Sequence, residues 1–324
     1  MEGSSWLCAV ATAKFDLDVG QAIENVYPPS SLPASALRSI AYTALPESGK
    51  SRAETPVLVA DSTFFFVVPP AAHSPSKEPM LSGRLYCYVL ARQWCDDSLA
   101  RGAQQRSAVL VSRHPYTGHL LPLAAVVGPS LLQDFAATAP LLLAQAAAQW
   151  HAPQPSRLLQ LPLGPQSICA MVPAAECVPS SGAIRSASSR RSELSRAHQQ
   201  GPDASKDACS SPYDVPGSTL ASDAPPPAEA ANRRMHGVFG DASIAHIFGG
   251  QLRALWPLWE IMVLGKPLMV HAAAPQDCSA AVAALIALVT PLPYAQDFRP
   301  VLSVHEDCVQ ALVVRALQAC PRCL

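Results

Sequence analysis

Between Ser180 and Ala231 the chain holds twelve serines and six prolines, no Trp or Phe, and only Ile184, Leu194, Val215 and Leu220 as branched aliphatic residues. Such a stretch cannot bury enough apolar surface to offset the entropy lost in ordering it. It reads as a disordered linker over residues 176–234, which leaves two blocks to fold, 5–175 and 235–324. Those blocks have ample core material, because 49% of the 324 residues are apolar and only 15% are charged. A formal net charge of −1 leaves no electrostatic footprint for DNA or RNA, so a nucleic-acid partner is not expected.

The ten cysteines lack the regular spacing of a secreted disulfide scaffold, and Met1 to Trp6 is no basic start leading into an apolar core. Reduced thiols and a cytoplasmic location are expected. The longest uncharged run, Cys278 to Gln296, has the length of a membrane span but is rich in alanine and carries Pro291 and Pro293, so a buried helix is expected there.

In the first block, Trp6 to Phe15 is a mixed apolar stretch that ends its unit at Pro28-Pro29. Leu32 to Leu45 then takes helical spacing through Leu37, Ile40, Ala41 and Ala44. Three runs bounded by breakers read as strands: Thr63–Val68, Leu85–Ala91 and Ser107–Ser112. Asp96 to Arg106 reads as an exposed loop. His119 to Trp150, interrupted by Pro122, Gly128-Pro129 and Pro140, reads as two or three short helices. Strands first and helices last predict an α+β sheet covered on one side.

In the second block, Ile244, Phe248, Leu252, Leu255, Trp259 and Met262 mark one helical face, with Asp241 available as a cap and Gly265-Lys266-Pro267 as the stop. Pro257 inside that pattern means that the helix bends or that two helices meet. Leu268–His271 reads as a buried strand, Gln276–Thr290 as a helix and Val301–Val304 as a second strand, which together predict a right-handed parallel crossover. Trp259 is expected in the core, and Trp256 is open between core and partner anchor.

Several motifs suggest chemistry that their context does not support. Gly49-Lys50-Ser51 resembles the tail of a phosphate-binding loop, but Ala44 stands where the first glycine belongs and no strand leads in. Cys320 and Cys323 have metal or redox spacing without a partner pair. His305-Glu306-Asp307 would lie at the carboxyl edge of the second strand, where α/β sheets place ligands, yet no nucleophile elbow accompanies it. Ser188, Ser189 and Ser192 beside Arg190, Arg191 and Arg196 are phosphorylation candidates on a solubilising segment. Nothing here argues for bond-making catalysis, a metal or a cofactor.

The punctuation of 256–300 carries a resemblance. Trp256 and Trp259 one turn apart, Glu260, Leu264-Gly265-Lys266-Pro267-Leu268, a helix start at Pro275 with Cys278-Ser279, and Asp297-Phe298-Arg299-Pro300 resemble the central module of DENN-domain proteins, exchange factors for Rab GTPases. Phe15 to Glu24 followed by Tyr27-Pro28, then Tyr86–Arg92 and Ser107–Tyr116, resemble the upstream module. The whole is most similar to the sixth DENN-domain subgroup, over roughly residues 8–175 and 238–305.

The resemblance implies a longin-like α+β module at 5–175, the linker, and a partial parallel α/β central module at 235–324. In the family the central sheet continues past the Asp-Phe-Arg-Pro strand and an all-helical module follows, so the chain is expected to be all or the N-terminal portion of such a protein. It also implies a Rab GTPase docked between the first two modules, with its switch regions drawn away from the nucleotide and no acid or base required. Matching positions place partner contacts at Asp297, Phe298 and Arg299, then at Glu260 and Trp256, with Asp16 and Asp18 as upstream contributors. Peripheral association with endosomal or other vesicle membranes through the GTPase follows. The alternatives are a non-exchanging trafficking adaptor and, disfavoured by the missing Gly-x-Ser-x-Gly, an α/β hydrolase.

Overall fold

Strands β1 (Ala9–Asp16) and β2 (Gly20–Tyr27) form a hairpin whose turn uses Gly20 at φ +85°, a conformation that costs glycine little. The computed structural model describes residues 6–46, 59–68, 84–96, 103–173, 239, 244–290, 292, 294, 296–303 and 309. All of these residues belong to one compact unit. The motifs around Gly49, Ser188–Arg196, His305 and Cys320, and the cap at Asp241, lie outside the described residues.

Strands β3 (Val59–Val68), β4 (Leu85–Cys95) and β5 (Ala103–Ser112) join the hairpin in one antiparallel sheet of order β2-β1-β5-β4-β3. The polar start of β5 corrects the expected loop, since Ala103 to Arg106 pair in register with Cys95 to Arg92. Successive side chains on a strand point to opposite faces. Phe64, Phe66, Cys87, Val89, Val109 and Val111 accordingly fill one core, whereas Phe65, Tyr88, Leu90, Ala108 and Leu110 fill another.

Helix α1 (Ala34–Ala44) covers the first of these faces with Ala36, Ile40 and Ala44. Ser107 and Gln105 on β5 donate to the carbonyls of Ala44 and Pro46, both at 2.6 Å, satisfying acceptors that a helix C-terminus leaves open. Helices α2 (Thr117–Gln133) and α3 (Phe135–Gln149) cover the second face, with the hairpin β6 (Leu158–Leu163) and β7 (Gln166–Met171) packed beside them. The sheet is therefore covered on both sides rather than one. The prolines did not cut α2 and α3 into shorter helices. Pro129 and Pro140 remove amides whose acceptors would be Ala125 and Ala136, and both of those residues are exposed, so water can take the orphaned carbonyls.

Trp6 closes this second core. Its ring lies 5.1–6.4 Å from those of His114, Tyr116, His119 and Trp150, and its indole N–H donates to the His151 carbonyl at 2.7 Å. Gly128 is where α2 approaches the sheet most closely: a Cβ there would sit 2.7 Å from Leu90 Cβ and collide with Leu90 Cδ2. Gly128→Val should lower stability by about 1–3 kcal/mol through overpacking, read as a drop in the thermal midpoint. An unchanged midpoint would mean that α2 can slide away from β4.

One row runs across four strands at the end of the sheet remote from Trp6: Lys14, Arg106, Arg92 and Asp61 are register partners on the second face. Arg92 grips Asp61 with a two-point fork at 2.7 and 2.7 Å, and Arg106 binds Glu24 at 2.5 Å and the Leu132 carbonyl at the end of α2.

After the linker, Phe239 is fully buried. The helical face is divided between two helices, as Pro257 allowed, but they meet before it: α4 (Ile244–Phe248) and α5 (Leu255–Val263) are joined by a 3-10 turn over Gly249–Ala254 with Gln251 out of helical range. Pro257 falls in the first turn of α5, where its missing N–H has no helical acceptor anyway. Gly265 ends α5 at φ +62°, and α6 (Pro275–Leu288) follows with Pro275 at its start and Asp277 in its first turn.

Among the described residues the expected parallel crossover is not seen. Leu268–His271 and Val301–Ser303 carry no strand pairing, Val304 lies outside the described residues, and both sheets of the structure are antiparallel. Leu268 and Met269 are exposed rather than buried. An extended segment needs a neighbour to take its backbone groups, and a lone strand pair is marginal in water, so without further strands these segments stay unpaired. Helix α6 instead packs its Ala283, Leu285 and Ile286 into the second core and lies against β3.

Candidate functional site

Asp297, Phe298 and Arg299 come together with a residue that the sequence reading missed, Arg84, which immediately precedes β4. The Arg84 guanidinium donates to Asp297 Oδ1 at 3.2 Å, and the Arg299 Nε–H donates to Asp297 Oδ2 at 3.1 Å, so one carboxylate bridges two arginines. The carboxylate is 56% exposed while the arginine side chains are 20% and 17% exposed, so the acid forms the outer tip and the cations stand behind it.

Phe298 points the other way. At 7% exposure its ring meets Phe239 at 5.9 Å and Tyr294 at 6.4 Å, and the Arg84 guanidinium carbon lies 5.3 Å from its centroid. Phe239 in turn packs on Phe65 of β3 at 5.2 Å, and Phe65 on Tyr88 of β4 at 6.2 Å. A continuous aromatic run thus ties the segment to the sheet. Burial pushes the Tyr86 hydroxyl up to about 12, against the opposing pull of the Arg84 charge, so Tyr86 belongs to this support. Burial, with a smaller push from Asp297, also raises Tyr294.

The chain end of α5 adjoins this segment. Met262, Val263, Leu264 and Gly265 line a shallow cavity with Val289, Leu292, Tyr294 and Gln296, and Gly265 has no room for a Cβ, which would sit 2.9 Å from the Gln296 amide nitrogen. Glu260, one turn before Leu264, is exposed, as is Trp256 at 71%. Trp259, expected in the core, is 36% exposed and packs on Trp256 at 5.3 Å, because no strand layer covers this side of α5 among the described residues.

Asp16 and Asp18 are not part of this cluster. They sit in the β1–β2 turn, where Asp16 Oδ1 accepts from the amides of Asp18 at 2.9 Å and Val19 at 3.3 Å. Those amides, with a weaker contribution from Lys14, hold the Asp16 carboxyl below the usual range. By register, Asp16 is level with the end of β4 near Trp94, ten residues along from Arg84. At about 3.3 Å per residue the two regions are roughly 30 Å apart, at opposite ends of the sheet.

Among the described residues no group of three or more His, Cys, Asp or Glu side chains could hold a metal ion, and no helix is long and apolar enough to cross a membrane. The cluster offers a charged, geometrically tied surface with no nucleophile aimed into a cavity.

The chain is 28% identical over 322 residues to Protein DENND6B of Homo sapiens, covering 94% of this chain and 47% of that one. It is 30% identical over 330 residues to Protein DENND6B of Mus musculus, covering 96% and 48%. A Dictyostelium discoideum DENND6 homolog is 25% identical over 306 residues, covering 93% of this chain and 40% of that one. The chain belongs to the DENN-domain family, in its sixth subgroup. No family model matches it. This DENN-domain chain spans about half the length of the relatives it matches.

In the DENN-domain chain, the matched positions Asp297 and Arg299 lie at the surface cluster and Phe298 in its support, with Glu260 and Trp256 on the neighbouring helix. The two residues of this cluster that sequence reading overlooked differ in how visible they were. Phe239 is the first aromatic residue after Tyr213, the sign of a chain returning to a core. Arg84 carried no such signal, because its partner lies 213 residues away.

Proposed function

We propose that the chain is a guanine-nucleotide exchange factor, or the N-terminal portion of one, for a Rab GTPase in vesicle or endosomal trafficking. The similarity to DENND6 proteins along 93–96% of the chain carries the reading. The antiparallel sheet with helices supports taking 5–175 as a longin-like upstream module and 235–324 as part of a central module joined to it through the linker. Exchange needs no acid or base. A factor that binds the nucleotide-free GTPase more tightly than the loaded one weakens the hold on GDP by linkage.

The GTPase contact is centred on Asp297 and Arg299, flanked by Glu260 and Trp256. A standard interface buries about 800 Å² on each partner, a disc roughly 30 Å across. A partner centred on Asp297 therefore stops short of Asp16 and Asp18, which contribute only if the GTPase lies along the sheet. Membrane association is peripheral and comes through the GTPase.

Release of a fluorescent GDP analogue from a panel of Rab GTPases tests the proposal. One of them should lose nucleotide faster with the chain present, and Arg299→Ala should slow that release about tenfold, equivalent to roughly 1.4 kcal/mol of lost transition-state stabilisation. Binding of a Rab with release left at its intrinsic rate would instead favour a trafficking adaptor. An unchanged rate in the variant would remove Arg299 from the contact.

A further inference from the structure

We propose that Arg84 is a positioning residue, which aims the Asp297–Arg299 segment from the rigid sheet; its importance for exchange rests on the function proposed above. Three groups surround its guanidinium: the Asp297 carboxylate, bonded at 3.2 Å, the face of Phe298 at 5.3 Å and the Tyr86 hydroxyl, on which its charge acts. Each belongs to a different layer. Tyr86 is on β4, the strand between β5 and β3 in the sheet; Phe298 is the buried plug of the segment; and Asp297 is its exposed tip.

The carboxylate transmits the placement. Its Oδ1 is taken by Arg84 and its Oδ2 by Arg299, so the orientation that Arg84 imposes on Asp297 also directs the Arg299 guanidinium. Among the described residues the segment has no strand partner, so its side chains are what tie it to the sheet. A planar fork can satisfy the acid and lie against the aromatic ring at once, whereas a lysine ammonium offers a point charge without the flat face.

Hydrogen–deuterium exchange of the whole chain tests the positioning directly. In Arg84→Met the amides of 297–303 should exchange roughly tenfold faster while those of β4 and β5 keep their protection. Arg84→Lys should recover part of that protection, and Asp297→Asn should loosen the same amides without adding to the effect of Arg84→Met. Unchanged exchange at 297–303 in Arg84→Met would overturn the proposal, as would equal loosening throughout β4 and β5, which marks general unfolding.

Nucleotide release supplies the functional arm. With a responsive Rab, Arg84→Met should slow release several-fold and Arg84→Lys less. Release unaffected in a variant whose segment is loosened would also overturn the positioning role. If the unaltered chain speeds release from no Rab, the exchange reading fails on that measurement alone, and the amide exchange still decides whether Arg84 holds the segment.

Discussion

Trp6→Ala should destabilise the chain by about 3–5 kcal/mol, the range for removing a large buried aromatic side chain. Trp6 is 1% exposed and touches four rings that come from β5's exit, α2 and the end of α3. Its loss strands more than apolar area. The His151 carbonyl would lose its indole donor, and the pocket wall formed by Trp150 would face a void. The Trp6 carbonyl, which accepts from Ser112 Oγ at 2.5 Å, would survive in any variant, so Trp6→Phe isolates the indole contribution and should cost less. Chemical unfolding followed by circular dichroism measures both. A loss below about 1 kcal/mol in Trp6→Ala would mean that the cluster repacks around the gap.

Phe239→Ala should have a comparable cost, about 3–5 kcal/mol, but a different signature. Its ring stands between Phe65 on the sheet and Phe298 on the C-terminal segment. Removing it breaks the aromatic run at its middle, so proteolysis and amide exchange in 292–303 and α6 should rise before the β4–β5 pair opens. Phe65→Leu, which keeps volume on the sheet side, should be milder. If 292–303 and the central strands lose protection together, the run is part of one cooperative core rather than a local clasp.

The fold was legible where local chemistry decides it. Helix α1, strands β3, β4 and β5, the stop at Gly265 and the start of α6 lie where their spacing and breakers put them. Coverage of the sheet on both faces was misread although the signal was present. TFFFVV, LYCYVLA and SAVLVS are nearly continuous apolar runs, and strands buried on both faces look like that, whereas a strand with one wet face alternates. Expecting one covered side gave weight to the order of elements over the composition of the strands.

The second block was harder because its apolar runs are satisfied by partners that local pattern does not name. Leu268–His271 has the composition of a strand, but strand formation depends on a neighbour, and none pairs with it among the described residues. The site divides in the same way. Asp297 and Arg299 were recognisable as a motif and do pair with each other, while Arg84 and Phe239 take their places only through contacts with residues distant in sequence. Asp16 and Asp18 shared a motif with the upstream module, but chain order says nothing about which end of a sheet a turn occupies.

The charged row Lys14–Arg106–Arg92–Asp61 has a consequence beyond its electrostatic energy, which for half-exposed pairs is small. Strands that are greasy on both sides have little to tell one alignment from the next, since sliding by one position merely swaps oily for oily. Arg92 and Arg106 break that degeneracy. A slipped β4 would turn Arg92 through the sheet, away from Asp61 and into the layer under α1. The ion pairs thus work as alignment pegs, and their value lies in the misfolded pairings they forbid.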